Sequence, residues 1–302
     1  MASGPGERHP ARLLRIAATR GTICGTPGTL NPSTAMQQYI VDAFSDKPFS
    51  GNPAAVCVLP SWPDAAWMQS LAMENSLSET AFLVPEGNAY RLRWFTPEAE
   101  VGLCGHATLA SAFVVLEHLE RQADRVEFLT GEGVLPVVRR DGLYTMDFPL
   151  IPQEEVPVTE AMVEAFGRRP VRALLGCDLV CVFAGEDEVR GLRPSQPLLK
   201  ALPGRGQHAT APGPGRGLGA DCVSRSFFPK LGIAEDPVCG SAHCQIAPYW
   251  GIEMQKDCIR AYQASRRGGF LQCRMPGNGR VLISGQACLV AIADIQPAAA
   301  PR

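Results

Sequence analysis

Three short motifs recur in the same order in the two halves of the 302-residue chain, and this repetition restricts the folds open to it more than any other feature. Val56-Cys57-Val58 is followed by Arg93-Trp94-Phe95-Thr96-Pro97 and then by Cys104-Gly105-His106-Ala107. Val180-Cys181-Val182 is followed by Arg225-Ser226-Phe227-Phe228-Pro229 and then by Cys239-Gly240-Ser241-Ala242. Each series starts in an apolar, strand-like run. Each ends where Cys-Gly opens a segment with helical periodicity: Leu109, Ala112, Phe113 and Leu116 in the first, Ala242, Ile246 and Trp250 in the second. The expectation is a duplicated lobe, with the ligand site in the cleft where the two helix starts face each other.

Around these motifs the chain reads as short strands bounded by turn residues, from Tyr39–Phe44 to Leu143–Phe148 in the first half and from Leu179–Ala184 to Cys288–Ala293 in the second. The 30 Gly and 26 Pro argue for many turns and against a helical bundle. A strand-rich α+β fold follows. The stretch from Pro203 to Gly219 has nine Gly or Pro in 17 residues and is expected to be a surface loop. Its glycine spacing fits neither a dinucleotide-binding turn nor a phosphate-binding loop. Residues 1–35 have no core-like alternation and are expected to form a disordered leader. Their Arg-rich, acid-poor run around Arg12 to Arg20 also suits an organelle transit peptide.

Several partners are excluded by composition. A net charge of -2 without a basic block leaves no electrostatic footprint for nucleic acid. No apolar run approaches the length of a membrane span. The 11 cysteines are odd in number, include no Cys-x-x-Cys and follow no secretory signal, so free thiols in a reducing, cytoplasmic setting are expected. The five histidines form no His-x-x-x-His or Cys/His spacing, which points away from structural zinc.

The residues able to carry chemistry cluster at the helix starts. A helix N-terminus has backbone N–H groups without intrahelical partners and the positive end of the macrodipole. Gly105 and Gly240 would let an anion come close, and Ser241 adds a hydroxyl. The bland reading is that Gly and Ser only cap two helices. His106 lies in the first helical turn, where the dipole disfavours imidazolium, so a neutral hydrogen-bonding imidazole is expected. Asp236 precedes Pro237, which forces an extended approach to the second helix and would aim Asp236 or Glu235 into the cleft. Glu79 stands between an amphipathic segment (Trp67, Leu71) and an apolar strand. Exposed it would be a solvated charge; buried in the cleft it would be a general acid/base.

Five separated segments, Ser50-Gly51-Asn52-Pro53-Ala54-Ala55-Val56, Leu77 to Phe82, Arg93 to Pro97, the run from Cys104 to Ser111 and the run from Glu235 to Cys244, resemble the PhzF-like phenazine-biosynthesis isomerase family over roughly Met36 to Ile295. The resemblance implies a diaminopimelate epimerase-like fold: two pseudo-symmetric lobes, each a curved, mostly antiparallel sheet around a central helix. On this view residues 36–150 plus 286–296 form the first lobe and 151–285 the second. It also implies a cofactor-independent isomerase without metal, acting on a small carboxylic acid, and a homodimer. By the same likeness Glu79 would shuttle the proton, His106 and Asp236 would complete the catalytic group, and Gly105, Gly240, Ser241 and Asn52 would bind substrate.

Cys239 stands where this family often has Thr. Together with Cys104 it keeps open a second enzyme reading, an amino-acid epimerase or racemase with two opposed thiol bases. A third reading is a non-catalytic binding module on the same fold, which would have an occluded cleft.

Overall fold

The structure is a computed structural model that describes Met1 and residues 36–213, 217 and 219–296; the rest of the expected leader lies outside the described residues. From Thr34 onward the chain forms one compact unit.

Its strand pairing repeats. β1 (Met36–Ala43) pairs antiparallel with β2 (Asn52–Val58), β2 parallel with β3 (Glu79–Glu86), and β3 antiparallel with β4 (Ala89–Phe95). β4 then pairs antiparallel with the two-residue β5 (Glu100–Val101) and parallel with β6 (Arg125–Thr130). Antiparallel pairings continue from β6 through β7 (Gly133–Arg140) to β8 (Leu143–Pro149). After β9 (Glu154–Val156), the strands β10 (Arg172–Leu175), β11 (Leu179–Val182), β12 (Gln207–Pro212), β13 (Cys222–Phe228) and β14 (Ile233–Asp236) reproduce the steps made by β1 to β5. β15 (Cys258–Gln263), β16 (Gly269–Arg274) and β17 (Arg280–Gly285) reproduce those from β6 to β8. β18 (Ala287–Ile295) returns to pair with β1 as β9 pairs with β10, and β8 pairs with β17, joining the halves.

The repeated Arg of the sequence motifs has a structural task. Arg93 on β4 grips Glu100 on β5 with two bonds of 2.7 Å, and Arg225 on β13 grips Glu235 on β14 with two of 2.8 Å. Each bidentate pair ties down the short strand that leads to a Cys-Gly turn.

Among the described residues six α-helices punctuate the strands: α1 (Ala65–Asn75), α2 (Gly105–Val114), α3 (Glu160–Phe166), α4 (Glu186–Gly191), α5 (Gln196–Ala201) and α6 (Gly240–Met254). α2 packs on β1, β2, β3 and β8, and α6 on β12, β15, β16 and β17. Both are buried on nearly every side, so the apolar stripe read from the sequence is only part of what they hide. A shared core with Leu109, Ala112, Ala242 and Ile246 runs through both halves. Fully burying a side chain such as Leu109 stabilises the fold by roughly 1.5–3 kcal/mol. Alternate residues of the same strands face away from that core: Phe82 and Phe95 pack with Met68 of α1, and Phe183 and Phe227 with Phe166 of α3. Pro248 lies inside α6 and cannot bond the Cys244 carbonyl. Ile151 N, on the crossover between the halves, donates to that carbonyl at 3.2 Å instead.

The expected surface loop from Pro203 to Gly219 is corrected by β12, which lies within it. Gln207 to Ala211 are buried, with β11 parallel on one side and β13 antiparallel on the other. The glycines and prolines flank a six-residue strand, and their density hid it. The ten described cysteines are all unbridged. Among the described residues no helix is long and apolar enough to cross a membrane.

Candidate active site

The turn before β2 sets the first site residue. Gly51 has a φ of +69° and lies so close to the Ala43 carbonyl that a Cβ would sit 2.2 Å from it. Only glycine fits this close approach. The turn places Asn52 at the start of β2, and parallel pairing sets Ala54 beside Glu79 at the start of β3. The starts of α2 and α6 bring in the two Cys-Gly turns, and the end of β14 brings Asp236.

Glu79, His106 and Asp236 line one cavity of about 620 Å³, together with Cys104, Gly105, Cys239, Gly240 and Ser241. His106 Nε2 lies 3.0 Å from Glu79 Oε2. The two atoms do not meet hydrogen-bond geometry and neither has another partner among the described residues, so the contact is close and unsaturated. Glu79 is 9% and His106 6% exposed, which keeps bulk water from screening the pair. Glu235, the other acid before Pro237, turns away to Arg225.

Asn52 is fully buried and is not on the cavity wall, a correction to the substrate contact expected of it. Its Nδ2 lies 2.7 Å from Asp236 Oδ1, 3.0 Å from the Val238 carbonyl and 3.1 Å from His106 Nδ1. Its two amide hydrogens go to the Asp236 carboxylate and the Val238 carbonyl, which leaves none for a ligand. Asn52 is a positioning residue that ties the imidazole of one half to the carboxylate of the other. Gln263 supports the same turn, accepting from Cys239 N at 2.9 Å and donating to the Asp236 carbonyl at 2.6 Å.

Electrostatics differ from the sequence expectation at His106. Burial opposes its imidazolium, but the charge and close contact of the Glu79 carboxylate and hydrogen bonding with the Cys104 sulfur, 3.5 Å from Nδ1, act the other way, and the net direction is well above the ordinary imidazole value. Asp236 is pushed up, by burial first and by Glu79, with His106 opposing. Both thiols are also pushed up: Cys104 by burial and Glu79, Cys239 by burial and Asp236. A helix N-terminus should lower a thiol pKa, yet here desolvation and adjacent carboxylates prevail.

Neither Cys104 nor Cys239 caps its helix through the side chain, so the first backbone N–H groups of α2 and α6 are not used up by capping side chains. The cavity therefore combines proton-carrying groups with two polar helix starts suited to an anion. Among the described residues, ligand atoms of Glu79, Cys104 and His106 lie within 4.8 Å of one another and form a group that could hold a metal ion. Spacing in the sequence shows no such cluster because Glu79 arrives from a different strand. A cation there would have to displace a proton from a thiol that its surroundings keep protonated. Sequence reasoning also missed Arg205, which lines the same cavity. It lay hidden in the Gly/Pro-rich stretch.

Comparison with known proteins identifies the family and the fold. The family model for phenazine biosynthesis-like proteins, PhzC-PhzF, matches residues 41–293, and the chain belongs to that family. An uncharacterized isomerase of Pseudomonas aeruginosa is 48% identical over 262 residues, 86% of this chain and 98% of that protein. A crystal structure of a PhzF-family phenazine biosynthesis protein from Enterococcus faecalis superposes with a TM-score of 0.84 at 46% identity, covering 87% of this chain and all of the other. A hydroxyproline epimerase from Agrobacterium vitis shares the fold at 13% identity, with a TM-score of 0.56 over 87% of this chain and 93% of that one. The architecture is thus the α+β fold of the epimerase-like proteins.

Proposed function

We propose that the protein is an isomerase that moves a proton between two carbons of a small carboxylic acid without a cofactor, with Glu79 as the acid/base. The observation that carries this reading is the 3.0 Å contact between Glu79 and His106 on the wall of a cavity that Asp236 also lines. The relatives named as isomerases support the reaction class.

In this reading the Glu79 carboxylate takes a proton from a carbon next to a conjugated system. The electron pair of the broken C–H bond moves into that system, and the charge that develops on oxygen is met by the N–H groups at the starts of α2 and α6. Protonated Glu79 then gives its proton to another carbon, so bonds shift with no net gain or loss of electrons. His106 holds Glu79 in position and stabilises its anionic form, and Asp236 orients the substrate from the other side. The two-thiol reading loses support because Cys104 and Cys239 are both held protonated. A cavity lined by Glu79, His106 and Asp236 is not what the occluded binding module calls for.

The test is deuterium exchange from solvent into a panel of small carboxylic acids, with wild-type protein and the Glu79→Gln variant. An acid that exchanges with wild type should lose at least about 10²-fold in rate with the variant, the usual share of a general acid/base. An equal rate in the variant removes Glu79 from the mechanism.

A further inference from the structure

The cavity is also bordered by a charged cluster that the proton transfer does not use. Asp178, fully buried, holds Arg205 in a bidentate grip, with Nε to Oδ1 at 3.1 Å and Nη2 to Oδ2 at 2.8 Å. Gly206 N donates to the same Oδ1 at 2.8 Å, and His208 Nε2, also fully buried, lies 3.3 Å from Oδ2. The backbone of Asp178 is fixed at both ends by Gln245, whose Oε1 accepts from Asp178 N and whose Nε2 donates to its carbonyl.

The approach of the two residues depends on Gly204, whose φ is +81° and where a Cβ would lie 2.6 Å from Leu179 N. Lys230 Nζ donates to the carbonyls of Leu202 and Gly204 at 2.6 and 2.5 Å and locks the turn from the other side. The guanidinium also stacks 5.4 Å over the Phe228 ring. Arg205 is therefore set in one rotamer before any ligand arrives, which spares the binding step most of the entropy of ordering a long side chain.

One edge of that guanidinium remains open. Nε and Nη2 serve Asp178, and Nη2 also reaches Ser241 Oγ, at 3.3 Å, in the first turn of α6. Nη1 makes no hydrogen bond among the described residues, and the side chain is 46% exposed where it lines the cavity. A carboxylate buried behind an arginine whose free donors face a cavity, beside a hydroxyl and an uncapped helix start, presents a planar, donor-only surface. That surface matches a carboxylate.

We infer that Arg205 is the substrate-binding residue that takes the carboxylate of the substrate, together with Ser241, at the α6 end of the cavity. This rests on reading the cavity as the substrate site. It specifies that the substrate is an acid whose carboxylate points away from Glu79 while the reacting carbon faces it. Asp178 acts through Arg205 and is a positioning residue.

The test measures binding, which does not need turnover. Benzoate and its amide benzamide, and succinate and succinamide, are titrated by calorimetry or NMR into wild type, Glu79→Gln, Arg205→Lys and Arg205→Met. The acid of at least one pair should bind wild type and Glu79→Gln more tightly than its amide. Arg205→Met should weaken the acid about ten- to hundredfold, the weight of a charge-assisted contact, and leave the amide unchanged, which also shows that the variant is folded. Arg205→Lys should recover part of the loss. Acids that bind wild type no better than amides, or that bind Arg205→Met as well as wild type, overturn the inference, as does loss of acid and amide binding together. Because Glu79→Gln keeps its binding, failure here is distinguishable from failure of the Glu79 mechanism, which is read only in exchange.

Discussion

Asn52 Nδ2 sits 2.7 Å from Asp236 Oδ1, a hydrogen bond that joins a residue at the start of β2 to one at the end of β14 and passes within 3.1 Å of His106. One buried amide thus sets the geometry of both groups that flank Glu79. Replacing it with alanine removes the 2.7 Å bond to Asp236 Oδ1, which keeps the Val238 N–H at 3.1 Å. The Asn52→Ala variant should lose about 1–3 kcal/mol of stability, the usual penalty for stranding buried polar groups. Its exchange rate should fall with a displaced pH profile, because the groups around His106 shift. Denaturant unfolding and a pH series of exchange check this; a stability loss with an unmoved pH profile would make Asn52 a purely structural residue.

The proximity of Glu79 to His106 has a sign that can be measured. Glu79 raises the pKa of His106, whereas burial alone would lower it. In the Glu79→Gln variant the imidazole should therefore release its proton at lower pH than in wild type, read by NMR of the ring protons. Because the native pKa is raised, the stability from the charged ring is fully present below the unfolded value of about 6.5 and is lost as pH rises through the native value. Wild type should lose stability relative to Glu79→Gln as pH is raised from 6 to 9. A difference that grows in the opposite direction means that burial governs the ring.

Much of this site was legible from residues whose types are scarce for steric or chemical reasons. The Cys-Gly turns and the Asp before Pro237 stand out because each breaks the local pattern of an otherwise apolar strand or helix start, whereas Glu79 was singled out by the resemblance of the Ser-Glu-Thr run to the family's motif. Strands rich in Val, Ile and aromatic residues, such as β4 and β15, were equally plain. β12 was not, because its six residues lie among flanking glycines and prolines that outweigh them in any short window. Arg205 went with it. The charge on His106 was misjudged for a different reason: helix position is local information, whereas the nearby carboxylate comes from β3. Asn52 was assigned to the substrate because a Gly-Asn-Pro turn does not reveal which side of the strand the amide will face.

The thiols provide a separate check on mechanism. Cys104 and Cys239 are buried and their pKa values raised by burial and neighbouring carboxylates, while Cys177 and Cys258 are exposed. Iodoacetamide at pH 8 should modify Cys177 and Cys258 first and leave Cys104 and Cys239 largely intact, as followed by mass spectrometry of peptides. Cys104→Ser and Cys239→Ser should each retain exchange activity within about tenfold, since neither removes the acid/base. Rapid alkylation of either cysteine, blocked by a bound acid, would favour the two-thiol mechanism.

Asp178 offers a test of the Arg205 cluster that does not depend on any substrate. Burial opposes its ionisation, but His208 and Arg205 outweigh burial and hold its carboxyl well below the usual range. A carboxylate whose native pKa is depressed contributes stability above its unfolded value of about 3.9, and that contribution fades as pH falls toward the native value. Asp178→Asn keeps the shape and removes the charge. It should be less stable than wild type by about 1–3 kcal/mol near neutral pH. The gap should hold steady down to about pH 5 and narrow below about pH 4, as the wild-type carboxylate loses its advantage. Denaturant unfolding of both proteins across that range reads the gap directly. A gap that stays constant into strong acid would show that the side chain's hydrogen bonds, rather than its charge, hold Arg205 against the cavity wall.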